Sequence, residues 1–260
     1  MSENELLFSL FFVSCRSKNK VEQPMIKDFD LLQRANNDYT TIDLEHAEEL
    51  AYRELIDSIR YIPLGDECGV MGNIANIITY KGRFYIQEEQ FDRVFIYDDT
   101  GRCLKKIDNK GRGPGEYLRI ESIDINTEKE ELMLVDGMSD KLFFYDLDGN
   151  FKSIHSIRYF QTENTLCLRD SVFLHISAPS QNFGNEGLYG YALVLSKGNE
   201  NFLKGYRYLP LQVGYKGGGQ IFKGYERSCY HPIYSDTIYQ ILSDTTYGPI
   251  FYFKIKNSSW

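Results

Sequence analysis

Two stretches of the chain carry the same pattern at a fixed distance. Asp92-Arg-Val-Phe-Ile-Tyr-Asp98-Asp-Thr-Gly101 aligns without a gap on Asp140-Lys-Leu-Phe-Phe-Tyr-Asp146-Leu-Asp-Gly149, at an offset of 140 − 92 = 48. Upstream, Phe84-Tyr-Ile86 falls on Leu132-Met-Leu134 at the same offset. A repeat of this length restricts the fold to stacked supersecondary units, propellers and solenoids above all. Each copy reads as strand, turn, strand, with Gly101 and Gly149 supplying the positive φ of a hairpin turn. Aromatic residues make up 15% of the chain, which suits strands because flat rings pack on a pleated surface.

Weaker copies keep the phase. Tyr191 to Asn199 carries its turn glycine at Gly198, at 198 − 101 = 97 past Gly101, close to two repeats. Asp236-Thr-Ile-Tyr-Gln-Ile241 lies at 236 − 92 = 144 past the Asp92 copy, three repeats on. A unit of about 48 residues holds about four strands, and Tyr61 to Trp260 has room for about four such units. The expected fold is therefore all-β, a propeller of four-stranded blades with about four blades, its ring open or incomplete. The alternative is a β-sandwich with a coincidental duplication. Between the two strong copies lies Gly111-Arg-Gly-Pro-Gly-Glu-Tyr117, a stiff turn in which Pro114 fixes φ and the glycines allow tight curvature.

Leu6 to Val13 is a short apolar run, well below the roughly 20 residues that span a bilayer. It ends in Ser14-Cys15 with Phe12 three positions before the cysteine, which resembles a bacterial lipobox. That likeness implies cleavage before Cys15 and a lipid on its thiol, although the acidic Ser2-Glu-Asn-Glu5 departs from the usual basic start. The division expected is a signal peptide over 1–15, a polar tether over 16–40 and the propeller over 41–260. Within the last, the spacing predicts a short helix over Leu44–Ile56, a strand over Ile59–Leu64 and another over Gly72–Tyr80. The strand Ile250–Ile255 is expected to begin a blade that never finishes.

The net charge of −8 and pI near 5.1 argue against a nucleic-acid partner, which needs a basic face. Cys68, Cys103, Cys167 and Cys229 are scattered without metal spacing and read as buried thiols. Asp92, Asp140 and Asp236, like Asp98 and Asp146, recur with the repeat, so they read as turn residues rather than catalytic acids. His46, His155, His175 and His231 do not follow the repeat, and no nucleophile elbow occurs. Arg112, Glu116 and Tyr117 on the stiff turn are the candidate ligand-binding residues; the alternative is that Glu116 and Tyr117 lock one blade to the next.

With Ile59-Arg-Tyr-Ile-Pro-Leu64, Gly82-Arg-Phe-Tyr-Ile, the Asp92 copy, the Gly111–Tyr117 string and Tyr234-Ser-Asp-Thr-Ile-Tyr239, the chain resembles the six-bladed, NHL-like propeller lipoproteins of Bacteroides-type bacteria. The likeness runs from about Leu44 to Phe253. It implies an outer-membrane lipoprotein held by its N-terminal lipid, on either the periplasmic or the surface side. A closed six-bladed ring needs about 288 residues, so the chain is expected to be a truncated product or an open arc. The function expected is a non-catalytic binding or scaffold module for a glycan or protein partner, without a resident cofactor. The alternative is a hydrolase or lyase with a divalent cation in the central channel. Open blade faces would also favour self-association.

Overall fold

The computed structural model describes residues 30–46 and 56–254, apart from breaks at 32, 36–37, 158–160, 170, 178–187, 189, 199–200, 209–218, 224–226, 234 and 244–245. The leader with Cys15, the greater part of the expected helix and the glycine run before Gly219 lie outside the described residues. Leu44–His46 forms a single 3-10 turn.

The chain is all-β and builds four antiparallel sheets in order, each a meander of consecutive strands. Blade I holds β4 (Ile74–Tyr80), β5 (Arg83–Glu88), β6 (Arg93–Asp98) and β7 (Cys103–Ile107). Blade II holds β8 (Ser122–Asn126), β9 (Glu131–Asp136), β10 (Lys141–Asp146) and β11 (Phe151–Ser156). Each strand of blade II follows its counterpart in blade I at the offset of the sequence motif, so the repeat in the sequence is the repeat of the fold. Blade III holds β12 (Asn164–Arg169), β13 (Val172–Ile176), β14 (Tyr191–Lys197) and β15 (Asn201–Tyr208). Blade IV holds β16 (Gln220–Lys223), β17 (Ser228–His231), β18 (Thr237–Ile241) and β19 (Thr246–Lys254). The first strands β4, β8, β12 and β16 neighbour one another in that order around an axis. The arrangement is a four-bladed propeller whose ring is not closed.

The turn chemistry repeats as well. Asp98 Oδ1 accepts from the backbone of Thr100 and Arg102, and Asp146 Oδ1 accepts from Asp148 and Asn150 at the matching places. Asp92 and Asp140 both sit at left-handed φ, 56° and 53°, a conformation that Asp tolerates better than most residues. Gly101 has φ 87°, and a Cβ there would meet the Pro63 carbonyl oxygen at 2.1 Å. Both constraints select glycine.

Blades hold together through alternate residues of shared strands. Along β9, Leu132 and Leu134 face blade I with Tyr85 and Ile96, whereas Met133 and Val135 face blade III with Phe173. Every residue from Leu132 to Asp136 is buried, because a blade with neighbours on both sides has no solvent face. Blades III and IV join through Leu174, Leu195, Ile221, Tyr230 and Ile241.

The leading face of blade I has no blade before it, yet it is not bare. Phe95 and Tyr97 hold repeat positions that blade II gives to Phe143 and Tyr145, which press back on blade I. In blade I the same positions are covered by Cys68 and Met71 from the segment before β4. Cys68 is bonded to Cys103 on β7, with Cα atoms 6.0 Å apart. This corrects the expectation of scattered thiols; Cys167 and Cys229 do remain buried thiols outside any disulfide. The pairing has no sequence signature because its partners are 35 residues apart and meet only when the strap folds back.

Three other expectations are corrected. Ile59–Leu64 is not a strand, and Tyr61 is 88% exposed. The segment meets the tip of the β6–β7 hairpin instead of a strand edge: Arg60 donates to Asp99 O (2.6 Å) and Gly65 N to Gly101 O (2.8 Å). Pro63 could not donate to a ladder in any case. Ile250–Ile255 does not open a new blade; through Lys254 it belongs to β19, the outermost strand of blade IV. Finally, the end of the expected tether is paired. β1 (Asp30–Leu31) runs parallel to β15, while β2 (Gln33–Arg34) and β3 (Thr40–Asp43) run parallel to β19. The N-terminal segment therefore touches blades III and IV before it reaches the face of blade I.

Candidate functional site

A cavity of about 1270 Å³ lies on the axis and is lined by residues of all four first strands, β4, β8, β12 and β16. First strands converge there because each blade starts at the axis and meanders outward. In the middle of the arc β8 is buried throughout, whereas β4 at one end is mostly exposed and Phe222 on β16 at the other end is 43% exposed. The open ring therefore leaves the cavity accessible along the β4 and β16 sides.

Glu163 lines the cavity, and four further charged groups of the lining, Lys81, Glu121, Asp124 and Lys223, are paired within the protein. Lys223 Nζ, from blade IV, donates to Cys167 O (2.8 Å), Ile125 O (2.9 Å) and Asp124 Oδ2 (3.4 Å), joining blades II, III and IV. Asp124 Oδ2 also accepts from Cys167 N at 2.7 Å. Burial pushes the Asp124 carboxyl up, and the Lys223 ammonium pulls it partly back. Glu121 is paired with Arg119 at 3.2 Å, and Lys81 with Glu130. Burial raises the Cys167 thiol to about 12, so it stays protonated and is a poor nucleophile.

The neutral polar groups differ. Asn76, Thr79, Asn164 and Gln220 line the cavity, and among the described residues no protein group hydrogen-bonds to their side chains. Asn164 Oδ1 is enclosed and lacks a partner. These residues lie on blades I, III and IV, outside the strong repeat pair, so no pattern in the chain brings them together.

The loop residues singled out by the sequence lie elsewhere, and none of the three lines the cavity. Tyr117 is fully buried between blades I and II, its ring edge-on to Phe143 at 6.0 Å. Its hydroxyl donates to Asp92 O (2.8 Å) and accepts from Asn109 N (3.1 Å). Burial pushes this phenol well above its ordinary range. Glu116 is exposed and accepts from Gly113 N at 2.6 Å, stiffening its own turn. Arg112 is exposed beside it. Asp92 has a role that its turn position does not reveal: Oδ1 accepts from Ile120 N (3.1 Å), across to the segment that leads into β8 of blade II.

The four histidines sit on four different elements: the Leu44–His46 turn, β11, β13 and β17. His175 is fully buried, with Nδ1 2.9 Å from Thr165 Oγ1 and Nε2 2.7 Å from Ser196 Oγ. Burial holds its pKa down at about 3. Such a group stays neutral in the folded chain while its unfolded counterpart takes up a proton below about pH 6.5. Stability from His175 is thus complete above pH 6.5 and lost as pH falls towards 3, by roughly 4 kcal/mol at the lower end. Denaturant melts from pH 7 to 4 on His175→Gln and the parent chain check this: the variant's stability should depend less steeply on pH.

Among the described residues, Asp43, Glu45 and His46 form the one carboxylate and imidazole group with metal-binding closeness. It lies beside β19, away from the axis, and Lys254 already pairs with Asp43 (3.2 Å) and Glu45 (3.7 Å).

Sheets arranged as blades around an axial cavity define a β-propeller-type protein. The family model for the domain of unknown function DUF4934 matches residues 39–260, and the chain belongs to that family. A crystal structure of a Bacteroides fragilis protein named as exported by inference is similar at a TM-score of 0.71 and 20% identity. The alignment covers 83% of this chain and 60% of that one, so this chain spans about three fifths of its neighbour's length. At that identity the shared property is the fold. Weaker similarities reach a DUF4221 family member of Bacteroides vulgatus (TM-score 0.43, 10% identity, 68% and 57% coverage). Virginiamycin B lyase of Staphylococcus aureus is comparable (TM-score 0.45, 10% identity, 70% and 56% coverage). No curated protein matches the chain.

Proposed function

We propose that this protein is an exported, lipid-anchored binding module of the cell envelope, with the axial cavity as its ligand site. The observation that carries the binding role is the cavity's composition. Four blades converge on it, Lys81, Glu121, Asp124 and Lys223 are held in pairs, and among the described residues Asn76, Thr79, Asn164 and Gln220 are left without protein partners for their side chains. That set can recognise a ligand through groups that both donate and accept hydrogen bonds. The Cys68–Cys103 disulfide and the neighbour named for export both support an oxidising, extracytoplasmic location. No helix among the described residues is long and apolar enough to cross a membrane, and the anchor in this proposal is a lipid on Cys15. For a hydrolase or lyase with an axial divalent cation, the most enclosed carboxylate of the lining, Asp124, is already engaged by Lys223 and Cys167. Arg112 and Glu116 offer a second, external surface for a protein partner, and the arc's open ends offer a surface for self-association.

Fractionation of cells carrying Cys15→Ala tests the anchor. The variant should move from the membrane to the soluble fraction, since one attached lipid supplies most of the membrane affinity. Unchanged partitioning would exclude lipidation at Cys15. For the binding role, ligand-induced protection of β4, β8, β12 and β16 in hydrogen exchange is expected; turnover of the ligand on the purified chain would replace the module with an enzyme.

A further inference from the structure

We infer that the axial cavity takes a neutral, hydroxyl-rich oligosaccharide; this rests on the binding role proposed above and specifies its ligand. Charge decides the first part. Lys223 is engaged by Asp124 and two carbonyls, so the most enclosed charges of the lining are closed on one another, while Glu121 pairs with Arg119 and Lys81 with Glu130 at its exposed margin. Freeing Lys223 for an anionic ligand would leave the buried Asp124 uncompensated, which is costly.

Hydrogen-bonding type decides the second. Asn76, Asn164 and Gln220 each offer both an amide donor and a carbonyl acceptor, and Thr79 offers a hydroxyl that does both. Sugar hydroxyls are likewise donor and acceptor at once, so a saccharide can satisfy either half of each amide. Asn164 Oδ1, enclosed without a partner, is an acceptor that a hydroxyl would satisfy. Phe222, 43% exposed on β16, supplies a flat apolar surface of the kind on which the C–H face of a sugar ring packs. Ile77 on β4 adds a second exposed apolar surface to the lining.

Size decides the third. A cavity of about 1270 Å³ exceeds the range of about 300–1,000 Å³ typical of sites for a single small molecule. An oligomer of several sugar units uses that volume, and the open β4 and β16 sides give it a way in.

The test is calorimetric titration of the full chain with cellohexaose, xylohexaose, maltohexaose, laminarihexaose and chitohexaose, with polygalacturonate as the anionic comparator and a mixed peptide pool as the proteinaceous one. At least one neutral hexasaccharide should bind. Asn164→Ala and Gln220→Ala should each weaken it about fivefold, the usual worth of one hydrogen bond. Phe222→Ala should weaken it about tenfold. Gln220 and Phe222 are exposed, so their variants should melt with the parent chain. Saccharide binding that none of the three substitutions changes would overturn the site. Binding of polygalacturonate alone would overturn neutrality. Binding of peptides alone, sensitive to the same substitutions, would overturn the saccharide and leave the cavity a binding site. Binding of none of these probes would overturn the proposal.

Discussion

Replacing Cys68 and Cys103 together by serine is expected to lower stability by about 4 kcal/mol, the loop-closure entropy that the unfolded chain regains when a cross-link spanning 35 residues is absent. The same change should expose one face of blade I. The location of the effect follows from what the bond holds. Cys68 and Met71 lie over Ile86, Phe95 and Tyr97, side chains at positions that elsewhere in the arc press on a preceding blade. Tyr97 also donates to Gly65 O at 3.3 Å, so the strap is hydrogen-bonded as well as cross-linked. Thermal melts with and without reductant, with an apolar dye as the reporter of the freed face, measure both quantities. A loss below about 1 kcal/mol, at the low end for any cross-link, would mean that the strap holds its place without the bond.

Phe143→Ala should cost about 3–5 kcal/mol, the range for removing a buried aromatic ring. Phe143 is fully buried in the cluster that joins blades I and II, edge-on to Tyr117. The cavity left by the ring cannot fill easily, because Tyr117 is fixed by bonds to Asp92 O and Asn109 N. The variant should therefore loosen the contact between two blades, not one hairpin. Chemical denaturation with probes in each blade checks this: blade I should uncouple from blade II. A cost under about 1.5 kcal/mol, no more than trimming a single buried methyl group, would mean that this cluster does not hold the blades.

What could be read in the chain follows from how local each feature is. Strands β5 to β7 recur as β9 to β11 at one fixed offset, and their turns are set by Asp98, Gly101, Asp146 and Gly149 within a few positions. Hydrophobic alternation and turn chemistry are short-range, so the blades were legible. The strap was not, because Ile59–Leu64 has the composition of a strand but meets a hairpin tip where no ladder is open. The C-terminal strand was legible as a strand but not as the fourth strand of blade IV, since that depends on pairing with β18. For the cavity, Lys223 and Asp124 are 99 residues apart and belong to blades that are not consecutive. Asn164 and Gln220 carry no repeat signal at all. Glu116 and Arg112 were visible through their stiff turn, which reports rigidity; Tyr117 in the same turn serves the contact between blades.

The arc also departs from the simple picture of two bare ends. On the leading side the strap stands where a blade would. On the trailing side Gln240 occupies the repeat position of Ile96 and Phe144, a polar side chain where blades I and II bury an apolar one against the blade that follows. Both differences reduce the apolar surface that an open ring would otherwise expose.

Hydrogen exchange on the oxidised full-length chain, read by mass spectrometry at peptide resolution, tests the four-bladed arc most directly. β9, β10 and β13, the inner strands of the packed blades, should exchange last and together. The peptide holding Gly65, whose amide is bonded to Gly101 O, should stay protected until the disulfide is reduced. Four blades exchanging independently, or a segment 60–72 that exchanges at the rate of an unfolded peptide while oxidised, would contradict that arc.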